Sequence, residues 1–392
     1  MIKMKRKKFI LLIVSVVIAT LFLASAAFFI LSGAKGFVLV GKSDFDTMSE
    51  ISERYAKLYA MQETVNDQFL WETDEEEQMN AIYKALIDSL GDKYSVYMDK
   101  EEYANWNNYV NGTFTGVGIT FAEDDEGNFV ITDILNGGPA DSAGLKEDDI
   151  LLTVDGKSYD DSEEMASHLR GKEGTEVKVT YRRGSREREV SLVRAEVEQP
   201  SVYGSTIDGD YGYIRITAFE KSTAEQFRKE LAGLENKNVK GLIVDLRDNP
   251  GGLLDQGIEV ADMLLPECTI THTEDKNGKT EYYNSDESCT KLKYAVLINE
   301  NTASASEIVA AAIKDNQGGP LIGTTTFGKG IIQGSMEFKD ETALKLTIMQ
   351  YLSPEGNQIN GVGVKPDYKV KMSQDGKKDS QLRKALNLLK DG

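Results

Sequence analysis

Apolar and polar positions fall into four textures along the 392 residues. Phe9 to Leu31 is an unbroken uncharged run whose only polar members are Ser15, Thr20 and Ser25. As a helix it spans about 34 Å, against a hydrocarbon core of roughly 30 Å. Between Phe45 and about Asn108, Ile51, Tyr55, Leu58, Tyr59 and then Met79, Ile82, Tyr83, Leu86, Ile87 recur at three- and four-residue steps. That spacing predicts helices, which read as a packing or dimerisation layer. From Asn111 short apolar runs alternate with glycine turns, predicting strands with one short helix near 162–169. From about Gly212 strands and helices alternate, which predicts an α/β core with parallel strands. A strand-rich stretch to Val370 and a helix over Gln381–Leu389 follow. The predicted division is a basic tail 1–8, an apolar span 9–31, a helical region 43–110, a strand-and-turn domain 111–197, an α/β core 198–372 and a terminal helical segment 373–392.

Charge narrows this picture. The net charge is −19, yet Lys3, Lys5, Arg6, Lys7 and Lys8 crowd the first eight residues, so the body is more acidic still. Such a body repels phosphate backbones, which excludes nucleic acid as a partner. A basic cluster before an apolar run puts the N-terminus in the cytoplasm and the rest outside it. Ala24-Ser25-Ala26 resembles a signal-peptide cleavage site, but Phe28-Phe29-Ile30-Leu31 continues the run past it, favouring an uncleaved single-pass anchor. Two cysteines, Cys268 and Cys289, flank a hairpin signal centred on Asn277-Gly278. A disulfide between them is the expectation on that side of the membrane.

Only His168 and His272 are present, and no Cys-x-x-Cys or His-x-x-x-His pair exists. No metal and no cofactor are expected, and a Ser-His-Asp triad is disfavoured. Ser304 follows a buried-looking strand and opens a helix. It also heads a capping box with Glu307, a purely structural role. A serine at such a junction is nevertheless exposed at the sheet's end, where the helix's first N–H groups favour a developing anion. Ala305 would supply one oxyanion donor, and the junction Asn249-Pro250-Gly251-Gly252 could supply another. Lys329 is the candidate base, flanked by glycines and apolar residues in a segment without carboxylates; burial would lower its pKa. Continued as a strand, Lys329 and Gln333 share a face, so the amide could orient the amine. Gly323 to Gly330 also satisfies Gly-x4-Gly-Lys. Gly330, however, stands where a phosphate loop needs Ser or Thr, and the residues that follow read as a strand.

Pro139 to Leu145 followed by Asp148-Asp149-Ile150-Leu151 resembles the signature of PDZ domains. The resemblance makes Phe114, Gly116, Val117, Gly118 and Ile119 the loop and strand start that receive a peptide's terminal carboxylate. Thr302–Ile308 together with Thr326–Gly330 resembles the carboxy-terminal processing (tail-specific) peptidases. The likeness extends to Leu90–Tyr97, Gly212–Ile216, Asp245–Gly252 and Gly361–Asp367; Lys93, where many relatives carry proline, is its one departure. The resemblance implies an α/β, crotonase/ClpP-like protease core with an inserted PDZ domain, an N-terminal helical region and one transmembrane helix. It implies Ser304 as nucleophile, Lys329 as general base, Gln333 as orienting partner, and an oxyanion hole from the Ala305 and Gly251 backbones. The implied partners are protein or peptide substrates with free apolar C-termini and, through one N-terminal helix, a membrane; a homodimer is left open. The competing readings are a catalytically dead PDZ scaffold, opposed by the presence of Ser304 and Lys329, and a crotonase-like acyl-CoA enzyme, opposed by the anchor and the PDZ segment.

Overall fold

The computed structural model describes residues 5–34, 40–124, 126–373 and 378–391, so Lys3 of the basic cluster lies outside the described residues. The chain divides into two compact units, 1–79 and 80–392. In the first, the apolar run is one helix, Arg6–Ala34; Arg6–Ile30 holds an 18-residue window of mean hydropathy 2.8, apolar and long enough to cross a membrane. The helix Lys42–Gln68 follows. It buries no side chain, and Phe45, Met48, Ile51, Tyr55 and Tyr59 are all exposed.

In the second unit, the alternating pattern from Gly212 becomes a six-stranded sheet. Its strand order is Tyr368–Lys369, Leu321–Gly323, Tyr294–Ile298, Leu242–Asp245, Tyr211–Ile216, Val202–Ile207. The first five are parallel and the last is antiparallel. Continuous apolar strands such as Tyr294–Ile298 are buried on both faces, as a parallel sheet demands. Val244, Val296 and Ile298 pack under the helices Thr223–Asn236, Leu254–Leu264 and Ala305–Asp315. Ile243, Leu297 and Ile322 pack under the helix Ser380–Asp391. That last helix is pinned by Arg247, which lies just past the strand Leu242–Asp245. Its guanidinium meets the carboxylates of Asp245 at 2.5 Å and Asp379 at 2.8 Å, and donates to Gln381 Oε1 at 3.1 Å.

Beside this core lies a five-stranded antiparallel sheet. Its longest strand, Ala343–Leu352, pairs with Ile331–Glu337, Val96–Met98 and Thr269–Asp275. Residues 113–198 build a two-stranded sheet, Thr113–Gly116 with Ala195–Glu198, and between those strands a five-stranded antiparallel sheet over Ile119–Val193, capped by the helix Ser162–Leu169 around Phe129, Ile131, Val154, Met165 and Val179. Its Asp149 is almost wholly buried and takes a two-pronged bond from Arg183.

The expected disulfide is corrected here: both cysteines are free thiols. The hairpin does form, but its register pairs Thr269 with Asn284 and sets Ser285 against Cys268. Ser285 donates its N–H to the Cys268 carbonyl at 2.8 Å, and its hydroxyl accepts the Cys268 N–H at 2.9 Å. Cys289 falls beyond that partner, in the loop after the strand.

Candidate active site

Ser304 sits where the fully buried strand Tyr294–Ile298 turns into the helix Ala305–Asp315. Its φ of 57° and ψ of −121° lie where non-glycine residues are strained. Neighbouring bonds hold that strain in place. Thr302 Oγ1 donates to Leu246 O at 2.8 Å, Ala303 N–H to Asn249 O at 3.0 Å, and Ser306 Oγ to the same carbonyl at 3.2 Å. Ser304 is partly exposed, whereas Ser306 is wholly buried and spent on this pin. The two serines are thereby told apart.

Lys329 follows a loop from Thr326 that packs beside this turn. It is half-buried, and no ion pair among the described residues engages it. Burial lowers its pKa from the ordinary lysine value, and the neighbouring Lys345 charge adds to the effect; Asp92 and Glu307 oppose, and Lys93 again lowers it. The ammonium lies 4.7 Å from the centroid of the Tyr94 ring. The Leu90–Tyr97 segment, read from sequence only as a marker of resemblance, is therefore a wall around this lysine.

Glu307, read from sequence only as a helix cap, and Tyr351, which the sequence reading did not single out, join the serine to the lysine. Glu307 is completely buried, and each oxygen accepts twice. Oε2 takes the N–H of Ser304 at 3.0 Å and of Lys329 at 2.8 Å; Oε1 takes the Thr326 hydroxyl at 2.5 Å and the Gly328 N–H at 2.7 Å. One carboxylate thus fixes the helix start and the base's loop together. Tyr351 does the same from the opposite side, its buried hydroxyl shared between the carbonyls of Ser304, at 3.0 Å, and Lys329. The capping-box spacing exposed half of Glu307's role. The other half depends on a loop some twenty residues away, which no local pattern encodes.

One expectation is corrected. Gly251 does lie against the nucleophile turn, since an added Cβ would come 2.6 Å from both Ala303 O and Ser304 Cβ. Its N–H, however, donates to Asn249 Oδ1 at 2.8 Å and is not available to a ligand. The amides of Ala305 and Gly252 make no hydrogen bond among the described residues. Gly252 is held by pairing with Phe219, whose N–H donates to Gly251 O at 2.9 Å and whose carbonyl accepts Leu253 N–H at 2.7 Å. Gln333 lies on the strand Ile331–Glu337, which begins two residues after Lys329; the extra residue of its ladder, Ile348, belongs to the partner strand Ala343–Leu352. The Gln333 amide donates to Thr347 Oγ1 at 3.2 Å, and the Thr347 N–H donates to Ser95 Oγ at 3.0 Å.

The peptide-loop residues gather as expected. Phe114, Gly116, Val117, Gly118 and Ile119 line a cavity of about 480 Å³, facing Ala166 and Leu169 of the helix Ser162–Leu169. Gly118 has φ +75° with only ordinary contacts around it, so dihedral freedom rather than space calls for glycine there.

Comparison with known proteins agrees with this geometry. Residues 210–370 match the profile of peptidase family S41, and residues 115–193 that of the PDZ domain. The carboxy-terminal processing protease CtpA of Bacillus subtilis (strain 168) is 34% identical over 91% of this chain and 76% of its own length. A CtpA-like serine protease of Staphylococcus haemolyticus is 32% identical over 95% of this chain and 74% of its own. A solved structure assigned to the S41 proteases, from Bacteroides fragilis, shares the fold with a TM-score of 0.50 at 16% identity, covering 79% of this chain and 90% of that one. A strained serine at a helix start, a desolvated lysine beside it, a PDZ groove and this level of identity converge: the chain belongs to peptidase family S41, as a PDZ-containing serine protease of the carboxy-terminal processing kind.

Proposed function

We propose that the protein is a membrane-anchored endopeptidase that holds the free, apolar C-terminus of a substrate in its PDZ groove and cleaves by a Ser-Lys acyl-enzyme mechanism. The observation that carries this reading is the single carboxylate of Glu307 bonded to the backbones of both Ser304 and Lys329. Neutral Lys329 takes the Ser304 proton, and the alkoxide attacks a peptide carbonyl. The unbonded N–H groups of Ala305 and Gly252 are the preferred oxyanion donors, aided by the helix dipole. Lys329 returns the proton to the leaving amine and then activates water for deacylation. Gln333 acts at one remove, by fixing Thr347 and through it the Ser95 turn near Lys329.

The helix Arg6–Ala34 serves as an uncleaved anchor, with the basic residues on the cytoplasmic side and the catalytic unit outside. The apolar face of Lys42–Gln68 is read as a dimerisation layer for a second copy.

The decisive test compares turnover and tail affinity in parallel. Ser304→Ala should abolish hydrolysis with native circular dichroism, while Ser306→Ala retains it. Lys329→Arg should abolish turnover but spare tail binding, because guanidinium stays protonated. Gly118→Val, or amidation of the substrate's C-terminus, should weaken binding instead. Full activity of Lys329→Arg would rule out the Ser-Lys mechanism. Equal cleavage of acid and amide tails would remove the tail-reading role. Protease added outside intact cells tests the topology, and sedimentation velocity tests the dimer.

A further inference from the structure

The PDZ cavity does not end at the carboxylate loop. It continues to a wall contributed by Tyr109 of the helix Lys100–Asn111 and by Tyr203 and Glu220 of the catalytic core, which line the same space as Gly116–Gly118. Glu220 is unusual in that wall. Its Oε2 is buried and has no hydrogen-bond partner, and the nearby Thr113 Oγ1 is also buried and unpartnered. The carboxylate presses against Gly112, whose φ of +69° ends the helix Lys100–Asn111; any side chain at 112 would run into it. No cation forms an ion pair with Glu220 among the described residues.

From this juxtaposition we propose that docking of a substrate's terminal carboxylate in the groove is coupled to protonation of Glu220, so that each tail bound takes up one proton. The inference rests on the tail-reading function proposed above. A free C-terminus brings a second anion into a cavity that already holds an unpaired carboxylate. Two like charges sharing a poorly hydrated site cannot both stay ionised cheaply. A proton on Glu220 removes the repulsion and turns the acid into a donor for which the incoming carboxylate is an acceptor. The surroundings favour that proton. Burial is the main influence raising the Glu220 pKa, and the Glu198 charge adds to it, together lifting it to about 7.

The other groups facing this space are the phenols of Tyr109 and Tyr203, the acids Asp133 and Glu163, and Arg170. Arg170 is the one cation among them. If it alone met the tail, binding would be insensitive to pH in the neutral range. Glu220 also follows Phe219 directly, and Phe219 is the residue whose backbone holds the Gly251–Gly252 turn. The proton-sensing wall of the groove is thus one peptide bond from the residue whose backbone bridges to Gly252.

The test is calorimetric titration of the full chain in detergent or nanodiscs with an apolar-tailed peptide, as free acid and as amide, between pH 6 and 8.5. Each pH is measured in two buffers of different ionisation enthalpy, which counts protons. The wild type should bind the free acid with uptake approaching one proton, its Kd rising about tenfold per pH unit above pH 7. The amide should show no slope. Glu220→Gln should abolish both slope and uptake, whereas His168→Gln, on the groove helix but outside the cavity lining, should change neither. A pH-independent wild-type affinity for the acid, or a Glu220→Gln variant keeping the wild-type slope, overturns the coupling while leaving tail reading intact. Equal affinity for acid and amide at every pH overturns both.

Discussion

Replacing Glu307 by Gln preserves volume and removes one anion, and the structure allows its cost to be worked. The amide offers one oxygen and one NH2 where the carboxylate offered two accepting oxygens. If the NH2 faces Ser304 and Lys329, two buried backbone N–H groups lose their acceptor. If it faces the other pair, the Thr326 hydroxyl can turn to accept, as it already does from the Val364 N–H at 2.7 Å, and only the Gly328 N–H is orphaned. The second orientation is cheaper. It costs about 1–3 kcal/mol for the orphan, and weakening two charge-assisted bonds brings the total to about 3 kcal/mol. The catalytic loss should be larger than stability alone implies, because the loop carrying Lys329 is no longer indexed to the turn carrying Ser304. A displacement of about 1 Å would lower turnover by about 10²-fold. Urea denaturation gives the first number, and single-turnover acylation at saturating peptide gives the second. A variant within 0.5 kcal/mol of wild type, acylating at the wild-type rate, would refute the idea that this carboxylate assembles the site.

Other outcomes follow from the same geometry. Activity should fall as pH drops through the lowered pKa of Lys329, since only the neutral amine accepts a proton. Lys345→Met removes a like charge, raises that pKa and should move the acid limb to higher pH; Asp92→Asn should move it lower, and shifts of the same sign would refute the assignment. Gly252→Ala forces a side chain into the Phe219 carbonyl at a φ of +145°. It should reduce kcat by about 10²–10³-fold, the usual cost of a lost oxyanion donor, while tail affinity measured by calorimetry is kept. Thiol titration of the unfolded, unreduced chain should return two thiols, and a value near zero would reinstate the bridge.

How much of this was legible in the sequence depended on the range of the determining contact. The alternation of apolar strands and helices after Gly212 is a local signal, and it becomes the parallel sheet. Ser304 at an N-cap with Glu307 three residues on is likewise local. Failures came where one distant or side-chain partner decided the outcome. The Asn249 amide, not the glycine content of the loop, turns the Gly251 N–H inward. Ser285 occupies the place opposite Cys268 that hairpin symmetry seemed to reserve for Cys289. The surroundings of Lys329 come from Tyr94 and Lys345, residues from separate strands or turns that only the fold brings together.

The Arg247 clamp has a bearing on the order in which the turn beside the nucleophile gains its support. Arg247 immediately precedes the turn Asp248–Gly252, yet its Gln381 partner is translated 134 residues later. Asp379, its ion-pair partner, is made almost as late. A nascent chain that has exposed Ser304, Glu307 and Lys329 still lacks the helix that anchors the neighbouring turn. Arg247 would then be left with Asp245 alone, one buried cation short of its second counter-charge. The support of this turn is therefore non-local: it is complete only after residues 379–381 have joined the fold, behind Ser304, Glu307 and Lys329 in chain order.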